Sequence, residues 1–180
     1  AYYAYKELMK AKGMTPSPLT DYTKSEYPGF VGSFYQYSNQ SETLKNNPDT
    51  VVAYTPTCND LTYTNTDGQQ VSGYVVSDVT KYSEANKYLC FICGDPPYER
   101  IDNPNITDGS SCVVIKESYG NAFVPFLVNS YQTVHVVDYR YFSGNLVDLV
   151  KDNNIQDVIY VNNANALIES AVKNMSRIIS

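Results

Sequence analysis

Ser118 lies in the segment SCVVIKESYGNAFVPF, residues 111–126, where residue types and spacing could support nucleophilic chemistry. The apolar run Cys112, Val113, Val114, Ile115 stops at Lys116-Glu117-Ser118-Tyr119-Gly120, and an amphipathic run follows from Asn121. Four apolar residues in a row suit a strand buried on both faces. The Gly and Asn after them suit a tight turn into a helix. A serine in such a turn stands at the carboxyl end of a central parallel strand, beside the first N–H groups of a helix. Open α/β sheets place ligands and nucleophiles there. A hydroxyl at that point can attack an acyl carbon once a base takes its proton.

The elements that must hold this serine follow an alternating rhythm. Strand 112–116 is followed by a helix near 121–130, strand 134–140, helix 145–153, strand 157–163 and a last helix near 164–178. Strands alternating with helices imply parallel pairing through right-handed crossovers. Residues 110–180 are therefore expected to form a βαβαβα core with a three-layer, flavodoxin-like parallel sheet. Residues 1–20 read as a helix and connector: Tyr2, Tyr5, Leu8 and Met9 recur at helical spacing, Gly13 stops the helix, and Pro16 and Pro18 follow. Residues 25–105 read as an antiparallel β insertion. Its expected strands are FVGSFYQYS, TVVAYTP, DLTYTNT, QQVSGYVVS, KYLCFICG and PPYERI, with Asp67-Gly68 marking a hairpin.

At 180 residues the chain can bury a full core and is read as one α/β domain. A formal charge of −6 without a Lys/Arg cluster argues against a nucleic-acid partner. Eighteen tyrosines without tryptophan fit half-buried strand positions, or alternatively a Tyr-lined carbohydrate face. Cys58, Cys90, Cys93 and Cys112 do not resemble a disulfide framework for a domain this size. The pair Cys90 and Cys93 is a lone C-x-x-C in an apolar run, and His135 is the only histidine, so structural cysteines are expected rather than zinc or redox chemistry. No metal site is expected.

Three blocks, AYYAYKEL, KYLCFICGD and VVIKESYGNAFVPFLVNSYQTVHVVDYRYF, resemble the DHHW family, allied to the SGNH hydrolases and to alginate O-acetyltransferase-like proteins. Lys116, Ser118, Tyr119, Asn121, Phe123, Pro125, Phe126 and Leu127 match a pattern like IKDSYANSFVPFL; Asp138, Arg140 and Tyr141 match a later D-x-R-Y-Y segment. The resemblance implies an SGNH-like fold with Ser118 as the catalytic nucleophile and Gly94, Asp95, Glu117, Tyr119, Asn121, Asp138 and Arg140 lining the site. It also implies a serine esterase or O-acetyltransferase that needs no cofactor, takes a polysaccharide or acyl-ester substrate and works outside the cytoplasm. Gly94 is the candidate oxyanion donor from a neighbouring loop. Asp95 departs from the Gly-Gly-Asn seen there in the family, because an ionised carboxylate accepts but does not donate. Glu117 departs from the family's aspartate by one methylene.

The family's Asp-His pair lies upstream of an AYYAYK-like segment, and this chain begins at that segment. The expectation is a C-terminal part whose histidine lies in a preceding segment of the same protein, and which is inactive alone. His135 is expected to be a core or sheet-face residue, because it sits roughly 10 Å below the strand's carboxyl end at ~3.3 Å per residue. Asp138 and Arg140 carry two readings, ordering of the Ser118 loop or anion binding on one side and a buried ion pair on the other. A non-catalytic, glycan-binding surface protein with the same fold is the alternative function.

Overall fold

The structure is a computed structural model that describes residues 1–164 and 168–180. Its centre is β6 (Ser111–Lys116), buried at all six positions. On either side run β7 (Thr133–Asp138) and β8 (Asp157–Val161), both parallel to it. The register brings Lys116 beside Asp138 and Val161 at the carboxyl end. Because successive side chains alternate, Cys112 and Val114 join one core and Val113 and Ile115 another, on the opposite face. Full burial of each such aliphatic side chain is worth ~1.5–3 kcal/mol, which fixes this register against slippage.

The helices divide between those cores. α1 (Tyr2–Ala11) buries Tyr5 and Met9 in the first core, beside α4 (Val124–Leu127), and ends where Gly13 takes a φ of 71°. α5 (Leu146–Asp152) and α6 (Glu169–Ile179) pack on the second core through Leu146 and Ile178. Asn145 caps α5, its side chain accepting from Val147 and Asp148 N–H groups at 2.8 and 3.1 Å. The last expected helix begins at Glu169; positions 165–167 of that expectation lie outside the described residues. The helix expected near 121–130 is shorter: a 3-10 turn, Ser118–Gly120, precedes α4, whose Pro125 suits a helix start.

Part of the antiparallel middle of the chain continues the central sheet. β3 (Asp60–Thr64), β4 (Gln70–Tyr74) and β5 (Tyr98–Asp102) extend the same sheet, giving six strands in the order β4-β3-β5-β7-β6-β8. β5 pairs antiparallel with β7, so the sheet is mixed. β3 and β4 form the hairpin around Gly68. β1 (Thr23–Phe30) and β2 (Asp49–Thr55) make a second, two-stranded antiparallel sheet.

Two expected strands are not strands. FVGSFYQYS leaves β1 at Phe30, and Gly32–Tyr37 forms the helix α2, followed by α3 (Glu42–Asn46). A left-handed Gly32 ends the extended run just after Phe30, and Phe34 and Tyr37 stay exposed, so no partner strand rewards their β propensity. KYLCFICG becomes a 3-10 turn, Lys87–Cys90, with a single bridge between Phe91 and Val76. Positive φ at Ile92, Cys93 and Gly94 then turns the chain sharply toward β5.

Candidate functional site

Ser118 is the first residue of the 3-10 turn that caps β6. It is partly exposed, while Lys116, Glu117, Gly120 and Asn121 around it are buried. The turn is tied on several sides. Tyr88 donates its hydroxyl to the Ser118 carbonyl at 3.0 Å, and Asn121 N–H donates to the same oxygen at 3.2 Å. Burial pushes the Tyr88 phenol up to about 12, so it remains a donor at neutral pH. The Glu117 carboxylate accepts from the Ser118 hydroxyl and the Tyr119 N–H, both at 3.3 Å, and from the Asn163 N–H at 3.1 Å.

Gly120 explains why the turn can sit so close to the strand. A Cβ there would lie 2.5 Å from the Lys116 Cβ. Lys116 is fully buried and reaches the Gly94 carbonyl at 3.4 Å, Asp95 at 3.3 Å and Asp138 at 3.4 Å. Arg140 completes the cluster, donating to Asp138 through Nε at 2.8 Å and a terminal nitrogen at 2.6 Å, and meeting Asp95 at 3.0 Å. Two cations and two carboxylates thus balance beneath the turn. Burial opposes ionisation of Asp95, but Lys116, the Asn121 amide and Arg140 together hold its pKa below the ordinary value. Arg140 thus braces the strand end as an ion pair with both carboxylates.

Asn121 joins the turn to the Gly94-Asp95 loop, donating to the Gly94 carbonyl at 2.8 Å and to Asp95 at 2.9 Å. The expected donor role of Gly94 needs correcting. Its N–H already donates to the Phe91 carbonyl at 2.9 Å, and its own carbonyl accepts from Asn121 and Lys116. Gly94 therefore contributes an acceptor to the platform. Tyr119 is exposed beside Ser118. The turn borders a groove of about 540 Å³, lined by Phe30, Phe34, Leu44 and Tyr88 together with Ser118 and Tyr119. α2 and α3, absent from the strand-based expectation, contribute Phe34 and Leu44 to that lining.

His135 lies in the middle of β7, opposite Val113, and is 1% exposed. Its Nδ1 pairs with the Tyr98 hydroxyl at 2.7 Å, and burial pushes its pKa down to about 4. It is a sheet-core residue, three positions from the level of Asp138. Sequence reasoning missed Glu99, a buried carboxyl on β5 with neither oxygen hydrogen-bonded among the described residues. Burial raises its pKa well above the ordinary value, against the attraction of Lys116. Its alternation with Ile101 in YERID was the available signal. The four cysteines are free; burial pushes Cys90 up to about 12 and raises Cys93 as well, opposing a reactive thiol pair.

A family model described as DHHW protein matches residues 1–137. The chain belongs to the DHHW family. Among solved structures, a DHHW family protein from Eubacterium siraeum DSM 15702 matches 99% of this chain at 30% identity, with a TM-score of 0.87; 60% of that protein is covered. Bacillus cereus PatB1 matches 92% of the chain at 23% identity with a TM-score of 0.72, over 59% of its own length. PatB1 with a sulfonyl adduct matches 96% at 20% identity, again with a TM-score of 0.72 and 59% coverage of its chain. The PatB1 likeness shows a shared fold. This DHHW chain spans about 60% of the length of its structural relatives. A search of curated proteins finds no match.

Proposed function

We propose that this DHHW chain is the serine-bearing part of an SGNH-type acyl esterase or O-acetyltransferase acting on a cell-surface or secreted polysaccharide, outside the cytoplasm. In this reading the mixed sheet is part of an SGNH-like three-layer architecture, and the Asp-His base comes from a preceding segment of the same protein. The observation that carries it is the setting of Ser118: a partly exposed serine at the carboxyl end of a doubly buried parallel strand, lining a groove of about 540 Å³.

The chemistry would run by covalent acyl transfer. Ser118 Oγ attacks the acyl carbon as the base takes its proton, the ester's alcohol leaves with a proton returned from that base, and the acyl group passes to water or a sugar hydroxyl. The aromatic wall of Phe30, Phe34 and Tyr88 favours one second reading, a glycan-binding protein without catalysis.

One experiment separates the two. The protein extended through its upstream segment is assayed on p-nitrophenyl acetate and treated with a sulfonyl fluoride, which labels activated hydroxyls. The expected outcome is hydrolysis abolished by Ser118→Ala, with the label mapped to Ser118. Equal activity of the parent and Ser118→Ala proteins, without labelling of Ser118, would leave only the binding reading.

A further inference from the structure

Glu117 makes more contacts than a residue that merely precedes a nucleophile requires. Glu117 is 6% exposed, and its carboxylate gathers three donors from two parts of the chain. One oxygen accepts from the Ser118 hydroxyl and the Tyr119 N–H, and the other accepts from the Asn163 N–H, just beyond the end of β8. The side chain also caps the 3-10 turn, while its extended backbone, at φ −112°, continues β6 into that turn. A single carboxylate therefore links the strand end, the hydroxyl and the neighbouring strand's loop.

Resting on the serine reading above, we propose that Glu117 is the positioning residue of Ser118. Its carboxylate holds the turn in register with β8 and parks the hydroxyl until the base arrives. The hydroxyl then rotates about its Cβ–Oγ bond toward that base, and the carboxylate keeps its two backbone donors, so the turn does not move. Both oxygens must be acceptors for this, since each faces an N–H. Glutamine keeps the length but presents an NH2 to one of those N–H groups. Aspartate shortens the arm but keeps two acceptors and the charge.

That contrast supplies the test. Glu117→Asp, Glu117→Gln and Ser118→Ala are made in the protein with its upstream segment, and kcat and KM for p-nitrophenyl acetate are measured with thermal melts. The expected order is Asp above Gln, with Gln losing about tenfold or more in kcat, KM little changed. The rate of sulfonyl fluoride labelling of Ser118 should fall in the same order. If Glu117 only fills space, the isosteric Gln variant will match the parent while Asp is the worse of the two, and the positioning role is overturned. Should Ser118→Ala keep full activity, the serine reading itself fails, a result distinct from the Glu117 order.

Discussion

At the residue scale, His135 gives the clearest consequence for pH. Its neutral imidazole is buried against Tyr98, with its pKa lowered from 6.5 to about 4 by burial first and by Arg100 second. Between those two values the unfolded chain binds a proton that the folded chain does not, so stability rises with pH across the window. Acidification through it should therefore remove up to about 3 kcal/mol through this one residue. Urea titrations of the parent and of His135→Gln at pH values near both ends will measure this. The variant, which keeps a partner for the Tyr98 hydroxyl, should lose less stability on acidification. Parallel losses in both proteins would mean that His135 does not carry the effect. Ser118 and Glu117, by contrast, are read through reactivity, because each is held by neighbours that survive its replacement.

At the scale of elements, the junction of β6 with its 3-10 turn depends on Gly120. A methyl group there would press on the Cβ and Cγ of Lys116, at 2.5 and 3.2 Å, where the side chain is rooted in the strand and cannot yield. Gly120→Ala should cost ~1–3 kcal/mol of stability by overpacking. It should also slow sulfonyl labelling of Ser118, because the turn must lift from the Lys116–Asp138–Arg140 cluster to relieve the contact. Denaturant midpoints with labelling rates check both; an unchanged labelling rate would separate the turn's fit from the hydroxyl's placement. The serine's setting at a strand-to-turn junction was legible, because four apolar residues followed by polar and glycine residues specify a buried strand and its stop. The groove wall was not. FVGSFYQYS has strand-like composition, and only the left-handed Gly32 and the lack of a pairing partner turn it into α2.

At the scale of the molecule, the core that takes α1 joins elements from both halves of the chain and decides how they should unfold. Leu61 and Ile101 of the antiparallel strands share a core with Cys112, Val114 and Val134 of the parallel ones, and Val51 and Ala53 of the smaller sheet join it. Four tyrosines, Tyr2, Tyr5, Tyr22 and Tyr54, gather around Phe126, so α1, the connector and β2 are locked to α4. Part of the tyrosine excess is thus structural packing. Thermal unfolding followed by far-UV circular dichroism and by tyrosine fluorescence should give coincident single transitions. Two separated transitions would mean that residues 25–105 fold as an independent unit.

The sequence by itself determined the buried central strand, the parallel alternation after it, the Asp67-Gly68 hairpin, the position of Ser118 and the core burial of His135. Each is written in local order: apolar runs, alternation, and glycine at a turn. Tertiary structure alone decided that the antiparallel strands continue the same sheet, that Gly94 offers its carbonyl rather than its N–H, and that Glu99, Lys116, Asp95, Asp138 and Arg140 converge under the turn. Those residues are up to 45 positions apart in the chain. Strand order and register bring them together, and neither is encoded in any one segment.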